Sequence, residues 1–325
     1  MSWRTLVVGL GQIGMGYDLN HDPDQFILTH ARAFQMHPDF ELVGGVDGDS
    51  ARVSLFEAKY SRPGYLNLEA ALINLNPEVV VISTTTNQHA PIVKSVLNLT
   101  QPEAILCEKP LAYDLDEAQQ IVTDCTSKGV KLYVNYMRRS DRGVNDVKER
   151  IANQSIAQPI KGVTWYSKGI LNNGSHFLNL LEYWLGKPTD FKLVDRGRLW
   201  NEVDPEPDIR VDFELGTVVF LASQEENYSH YTVELVASNG RLRYDRGGSR
   251  ITWQGTVADS CHEGYTTLSP VTEKIVSSLD KIQWYVVDQL SIILRGQMTQ
   301  QTTRICSGKE ALKTQEFLSE ILKSL

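Results

Sequence analysis

The sequence predicts a two-part α/β protein: a doubly wound parallel sheet, then an α+β domain with a large, mostly antiparallel open sheet. Three observations lead there. Short β-branched apolar runs alternate with helical spacing through residue 135. A glycine-rich turn directly follows the first of those runs. Beyond it, strand-like segments are separated by turn signals such as Leu215-Gly216-Thr217 and Ser238-Asn239-Gly240. The domains are therefore placed at 1–135 and 136–325.

At 325 residues the chain is long enough for two domains, each with its own core. The net charge is −8 and no basic cluster tracks a phosphate backbone, which argues against a nucleic-acid partner. No apolar run approaches the ~20 residues that span a bilayer. Cys107, Cys125, Cys261 and Cys306 show no C-x-x-C spacing and suit a reducing compartment. Met1-Ser2-Trp3-Arg4 does not open a signal peptide. The expectation is a cytoplasmic protein.

Thr5-Leu6-Val7-Val8 reads as a buried parallel strand and runs into Gly9-Leu10-Gly11-Gln12-Ile13-Gly14. Gly9 permits a tight turn, Gly11 lets a pyrophosphate approach the backbone, and Gly14 allows close helix–strand packing. The amides of Gln12 and Ile13 would meet the phosphates at a helix start. Phe40–Val46 is the second strand, and Asp47 ends it. Asp47 lies 33 residues after Gly14, against about 20 in the usual fingerprint. The excess matches a polar loop, Tyr17 to Thr29, inserted before a helix over 31–36. A carboxylate there accepts ribose hydroxyls and repels a 2′-phosphate, so NAD is expected over NADP. Its other reading is a helix-capping acid.

Helical spacing with a Pro63-Gly64 break covers 57–74, and Glu78–Ile82 is the third long strand. Thr84 and Thr85, just past it, suit a ribose or nicotinamide site, while Thr86 or Asn87 suits a cap for the helix over 90–99. His89, in that helix's first turn, suits either the cofactor site or the scaffold. The strand Ala104–Cys107 leads into Glu108-Lys109-Pro110, at the strand end where open sheets place ligand chemistry. A helix over 114–127 and a strand over 130–134 complete this half.

In the second half a polar helix covers 140–154. Strands are expected over 161–168, 208–215, 217–223, 231–237 and 241–245, with closing helices over 274–294 and 307–325. An antiparallel sheet with few covering helices tends to bury its second face against another subunit. Ser175 opens a helix that Gly186 and Pro188 end. Phe177, Leu180, Leu181 and Trp184 form its apolar face, and His176, Asn179 and Tyr183 form a polar stripe facing a cleft or bulk water.

The glycine motif, Asp47, the stretch from Thr84 to His89, Glu108-Lys109-Pro110 and Gly174-x-His176 together resemble the Gfo/Idh/MocA oxidoreductases over nearly the whole chain. The resemblance implies an N-terminal Rossmann domain, a C-terminal open-sheet domain that forms dimers or tetramers, and a polyhydroxylated small-molecule substrate. It implies Lys109 and His176 as catalytic residues and Glu108, with His89, Thr84 and Thr85, at the cofactor. Asn172 and Asn179 stand where the family pattern has acids, and asparagines can still bind sugar hydroxyls. Arg138 and Lys168 are further candidates for substrate contact or plain surface charge. Hydride transfer to NAD is the expected activity. The alternatives are an NAD-dependent lyase or glycosidase on the same scaffold, or an NAD-binding sensor without turnover.

Overall fold

The computed structural model describes residues 2–225, 227–228, 230–297 and 303–325. The chain divides into two compact units: 1–140 with 280–313, and 141–279 with 314–325.

The first unit is built on six parallel strands, β1 (Trp3–Val8), β2 (Phe40–Val46), β3 (Gly64–Tyr65), β4 (Val79–Ile82), β5 (Ala104–Cys107) and β6 (Lys131–Val134). Their spatial order is β6-β5-β4-β1-β2-β3, and Cys306–Ser307 adds an antiparallel edge beside β6. The chain leaves β1 for β2 and β3, then returns to β1's other side for β4. That reversal makes the ends of β1 and β4 the switch point where such sheets bind ligands. Leu6, Val7, Val80, Val81, Ile105 and Leu106 are fully buried, as strands covered on both faces must be. The connecting helices are α1 (His30–Met36), α2 (Ser50–Tyr60), α3 (Leu68–Leu75), α4 (His89–Leu99) and α5 (Leu115–Ser127). Asp114 caps α5 by accepting the Glu117 amide at 3.0 Å. Thr86 and Asn87 do not cap α4, whose start has no side-chain cap.

This unit does not end at 135. Val286, Val287, Leu290 and Ile293 of the helix Ile282–Leu294 share a core with Val7, Phe34 and Tyr133. The inserted stretch 17–29 is also anchored. Asp18, fully buried, accepts the amides of Leu28 at 2.7 Å and Thr29 at 3.1 Å and the Thr29 hydroxyl at 2.8 Å. Arg32 approaches it at 3.5 Å.

The second unit is a nine-stranded sheet with helices on one face. Ile160–Tyr166 and Gly216–Ala222 pair in parallel, and the other ladders are antiparallel. The strands Pro188–Asp195, Arg250–Ala258 and Thr266–Leu268 are additions to those expected from the sequence, although Ile251, Trp253 and Val257 alternate with polar residues in the second of them. A helix was expected from 274, but Glu273–Ile275 is a strand against Ile251–Trp253, and the helix begins at Ile282. Arg150 holds that strand by pairing with Glu273 at 2.6 Å. Helices α6 (Arg142–Ala152) and α7 (Ser175–Leu185) pack Val144, Val147, Phe177, Leu180, Leu181 and Trp184 onto Val218, Leu235 and Leu242. Each such side chain, fully buried, contributes about 1.5–3 kcal/mol. Among the described residues no helix is long and apolar enough to cross a membrane.

Candidate functional site

A cavity of about 860 Å³ opens in the first unit over the ends of β1, β2 and β4. That volume is usual for a small-molecule site. Gly9, Gly11, Gln12, Ile13, Asp47, Thr84 and Thr85 all line it, so seven residues proposed from the sequence converge on one wall. Gly9 has φ +97°, and a Cβ there would lie 2.6 Å from the Ser83 carbonyl. A Cβ on Gly14 would lie 2.0 Å from Gly9 O. On Gly11 it would meet only Arg52 Nη1, at 4.0 Å. Two glycines are therefore required by packing, while the middle one leaves its backbone open to a ligand.

The turn after the glycines is a single π-helical turn, Gln12–Gly16, not the start of a long helix. Met15 and Gly16 give their amides to Gly11 O at 2.9 and 3.0 Å. The opening amides of such a turn have no carbonyl one turn earlier, which leaves them for an anion.

Asp47 Oδ2 accepts the Leu10 amide at 2.8 Å, and Oδ1 accepts the Asp49 amide at 2.9 Å. The capping role belongs to Asp49, which accepts the Ala51 amide at 2.8 Å. Asp47 is thus held at the cavity wall with lone pairs to spare. Arg52, absent from the sequence reading, also lines the cavity, 3.5 Å from Asp47. Its signal was its place in the first turn of α2. Ser83 donates to Gly9 O at 2.8 Å and fixes the turn against β4. The Thr84 hydroxyl is buried at the wall with no partner among the described residues. That orphan, the open Gly11 and the Asp47 carboxylate fit the phosphate-and-ribose portion of a dinucleotide.

Gly14, His89 and Glu108 do not line this cavity. His89 is fully buried, with its ring nitrogens 3.1 Å from Leu111 O and 3.3 Å from Thr84 O. Burial pushes its pKa down, so it stands behind the wall as a strut. Glu108 Oε1 accepts from His30 Nε2 at 2.8 Å and from Asn135 Nδ2 at 2.7 Å. Burial alone would raise its pKa, but the His30 contact and the Asn135 amide outweigh it and hold the carboxyl below its ordinary range. Lys109 follows, half-buried, with a cis peptide to Pro110. Arg138 sits half-buried in the short turn Met137–Ser140.

In the second unit the stretch before His176 is a π-helical segment, Gly169–Gly174. Two buried acids build it. Glu206 accepts the Lys168 amide at 2.7 Å, and Asp204 accepts those of Leu171 at 3.0 Å and Asn172 at 2.8 Å. Lys168, at φ +63°, and Asn172 are half-buried, as is His176 in the first turn of α7. Asn179 is placed differently from the expected polar stripe. It is 1% exposed and donates to the Thr314 hydroxyl at 3.0 Å, and Thr314 donates on to Glu182 at 2.8 Å. Tyr183 likewise turns to Asn145, at 2.7 Å. Among the described residues no three His, Cys, Asp or Glu side chains are grouped to hold a metal ion.

A family described as "Oxidoreductase family, NAD-binding Rossmann fold" (GFO_IDH_MocA) matches residues 3–136. The myo-inositol 2-dehydrogenase of Thermotoga maritima is 25% identical over 157 residues, which are 48% of this chain and 42% of that protein. The inositol 2-dehydrogenase of Rubrobacter xylanophilus is 36% identical over 98 residues, 30% of this chain and 28% of that one. The chain thus matches less than half the length of these relatives. In overall fold it is similar to the WlbA dehydrogenase of Bordetella pertussis, solved with NADH and UDP-GlcNAcA, at TM-score 0.76 and 17% identity, covering 99% of this chain and 95% of that one.

Proposed function

We propose, from the premise that the chain belongs through residues 3–136 to the Gfo/Idh/MocA oxidoreductase family, that it is an NAD-dependent oxidoreductase acting on a CH–OH carbon of a sugar, cyclitol or nucleotide sugar. The observation that carries this is the cavity at the switch point, where Gly11 stays open and Asp47 is fixed by two amides. The inositol dehydrogenases among the relatives support the substrate class. Asp47 favours NAD, because its carboxylate opposes a 2′-phosphate.

Bound nicotinamide supplies the hydride acceptor or donor. The chain's residues supply position and proton transfer. Lys109 polarises the reacting oxygen and stabilises alkoxide charge as it develops. A ring nitrogen of His176 takes or returns the hydroxyl proton. Asn172, Lys168 and Arg138 orient the remaining hydroxyls. Asn179, inside α7's packing, serves by holding the helix that carries His176. Glu108, His89 and Gly14 act on the cofactor through the wall they support. The outward face of the second sheet, where Trp165 is 39% and Val236 50% exposed, supports a homodimer or homotetramer, which light scattering tests. The activity is tested by supplying NAD with inositols, sugars and nucleotide sugars. NADH must form with one of them in the native protein and not in Lys109→Ala.

A further inference from the structure

The second unit holds a cavity that the proposed chemistry does not use. It measures about 160 Å³ and is lined by Arg241, Arg243, Arg250, Asp245, Thr252 and Thr272. Strand alternation sets it on the sheet face away from the helices. Leu242, Tyr244 and Ile251 are at most 1% exposed and belong to the core, so Arg241, Arg243 and Thr252, each one residue away from them, project from the other face. The ladder between Gly240–Asp245 and Arg250–Ala258 sets Arg243 opposite Thr252 and Asp245 opposite Arg250. In a chain of net charge −8, three guanidiniums around one hollow reverse the local sign.

These cations are incompletely matched. Glu234 Oε2 lies 3.7 Å from both Arg241 Nη1 and Arg243 Nε, and Asp245 Oδ1 lies 3.4 Å from Arg243 Nη2. Charge-assisted N–H···O bonds close to about 2.7–2.9 Å, so these pairs are loose. The short contact of Arg241 is to a neutral acceptor, the Gln254 amide oxygen at 2.8 Å. Arg241 Nε is buried with no hydrogen-bond partner among the described residues. Such a donor costs free energy until it meets an acceptor. Three cations against the carboxylates of Glu234 and Asp245 leave one positive charge, and the Thr252 and Thr272 hydroxyls add donors that can rotate to suit.

Size narrows the class of ligand. The hollow takes several waters at about 30 Å³ each, whereas sites for larger organic ligands run to roughly 300–1,000 Å³. A nucleotide is too large for it. We propose that this hollow binds a small tetrahedral oxyanion of the phosphate or sulfate class, with Arg241 and Arg243 as the hydrogen-bonding forks and Arg250 as the third charge. The site does not depend on the proposed cofactor. Val236, 50% exposed, pairs with Arg241 on the face proposed to meet a second copy, so a carboxylate from that copy is the competing occupant.

Phosphate is titrated calorimetrically into the full chain in chloride buffer of fixed ionic strength, beside Arg243→Gln, Arg250→Gln and Glu234→Gln. Light scattering and thermal melting are read on the same samples. The native chain should bind phosphate with a Kd of about 1 mM or tighter. Arg243→Gln and Arg250→Gln, both at exposed positions, should weaken it on the order of tenfold. Glu234→Gln, which removes the competing carboxylate, should tighten it about twofold to fivefold, which loss of a merely structural contact would not do. Absence of phosphate binding in the native chain overturns the proposal. Binding that both arginine variants leave unchanged also overturns it and places the anion elsewhere, such as the glycine turn. Loss of self-association in the arginine variants, with no phosphate bound by the native chain, overturns it in favour of a second copy's carboxylate.

Discussion

Asp47 accepts the amide of Leu10 at 2.8 Å and so ties the end of one strand to the glycine turn after its neighbour. The acid and the turn are a single construction, and a substitution at one disturbs the other. Asp47→Ala should weaken NAD roughly tenfold or more, as loss of charge-assisted hydrogen bonds does, and narrow the preference over NADP. Parallel titrations with the two cofactors check this. An unchanged preference would confine Asp47 to bracing Leu10.

Gly9 admits no side chain, because its φ is +97° and the Ser83 carbonyl carbon lies 2.6 Å from the Cβ position. Gly9→Ala should cost about 2–4 kcal/mol of stability and lower NAD affinity. Gly11→Ala, which meets only Arg52, should leave stability nearly unchanged and weaken NAD alone. Denaturant unfolding and ligand titration on the two variants separate packing from approach.

Glu206 is fully buried and holds the Lys168 amide and the Arg198 guanidinium, the latter at 2.8 Å. Glu206→Ala leaves both donors without their acceptor and should destabilise the second unit by about 2–4 kcal/mol. Chemical denaturation measures it. Glu206→Gln should recover part of the loss.

Glu310 ties the edge strand to its unit by accepting the Ser307 amide at 2.9 Å and pairing with Arg139 at 2.7 Å. Burial would raise its pKa, but the Arg139 charge and the Ser307 hydrogen bonds outweigh that and hold it below the ordinary carboxyl range. A carboxyl depressed in the folded state stabilises above its unfolded pKa and loses that contribution as pH falls through the folded one. Melting temperature should therefore decline as the pH drops below about 5, and Arg139→Met should flatten the decline. An equally steep decline in that variant would assign the acid sensitivity to other carboxylates.

The first sheet was legible because its signals are local. Val79–Ile82 and Ala104–Cys107 are apolar throughout, Gly14 is demanded by a contact within its own turn, and Gly9 by its positive φ. What escaped the sequence depends on distant partners. His30 meets Glu108 across 78 positions, and Asp18 closes a loop through Thr29 and Arg32. Asn179 is expected in a stripe facing a cleft or bulk water because it is polar. Its neighbour Thr314 comes from a helix 135 residues on and makes burial affordable. The return of 280–313 to the first unit was hidden for the same reason, since apolar spacing in Ile282–Leu294 does not say which core it joins.

The central claim is a hydride transfer to NAD assisted by Lys109. The most direct measurement follows NADH absorbance with NAD+ and a panel of inositols, free sugars and nucleotide sugars, for the native chain and Lys109→Ala, alongside NAD binding by both. The account predicts NADH formation with at least one polyol, its loss in Lys109→Ala, and retained NAD binding in that variant. Full turnover by Lys109→Ala, or NAD binding with no response to any polyol, would contradict it.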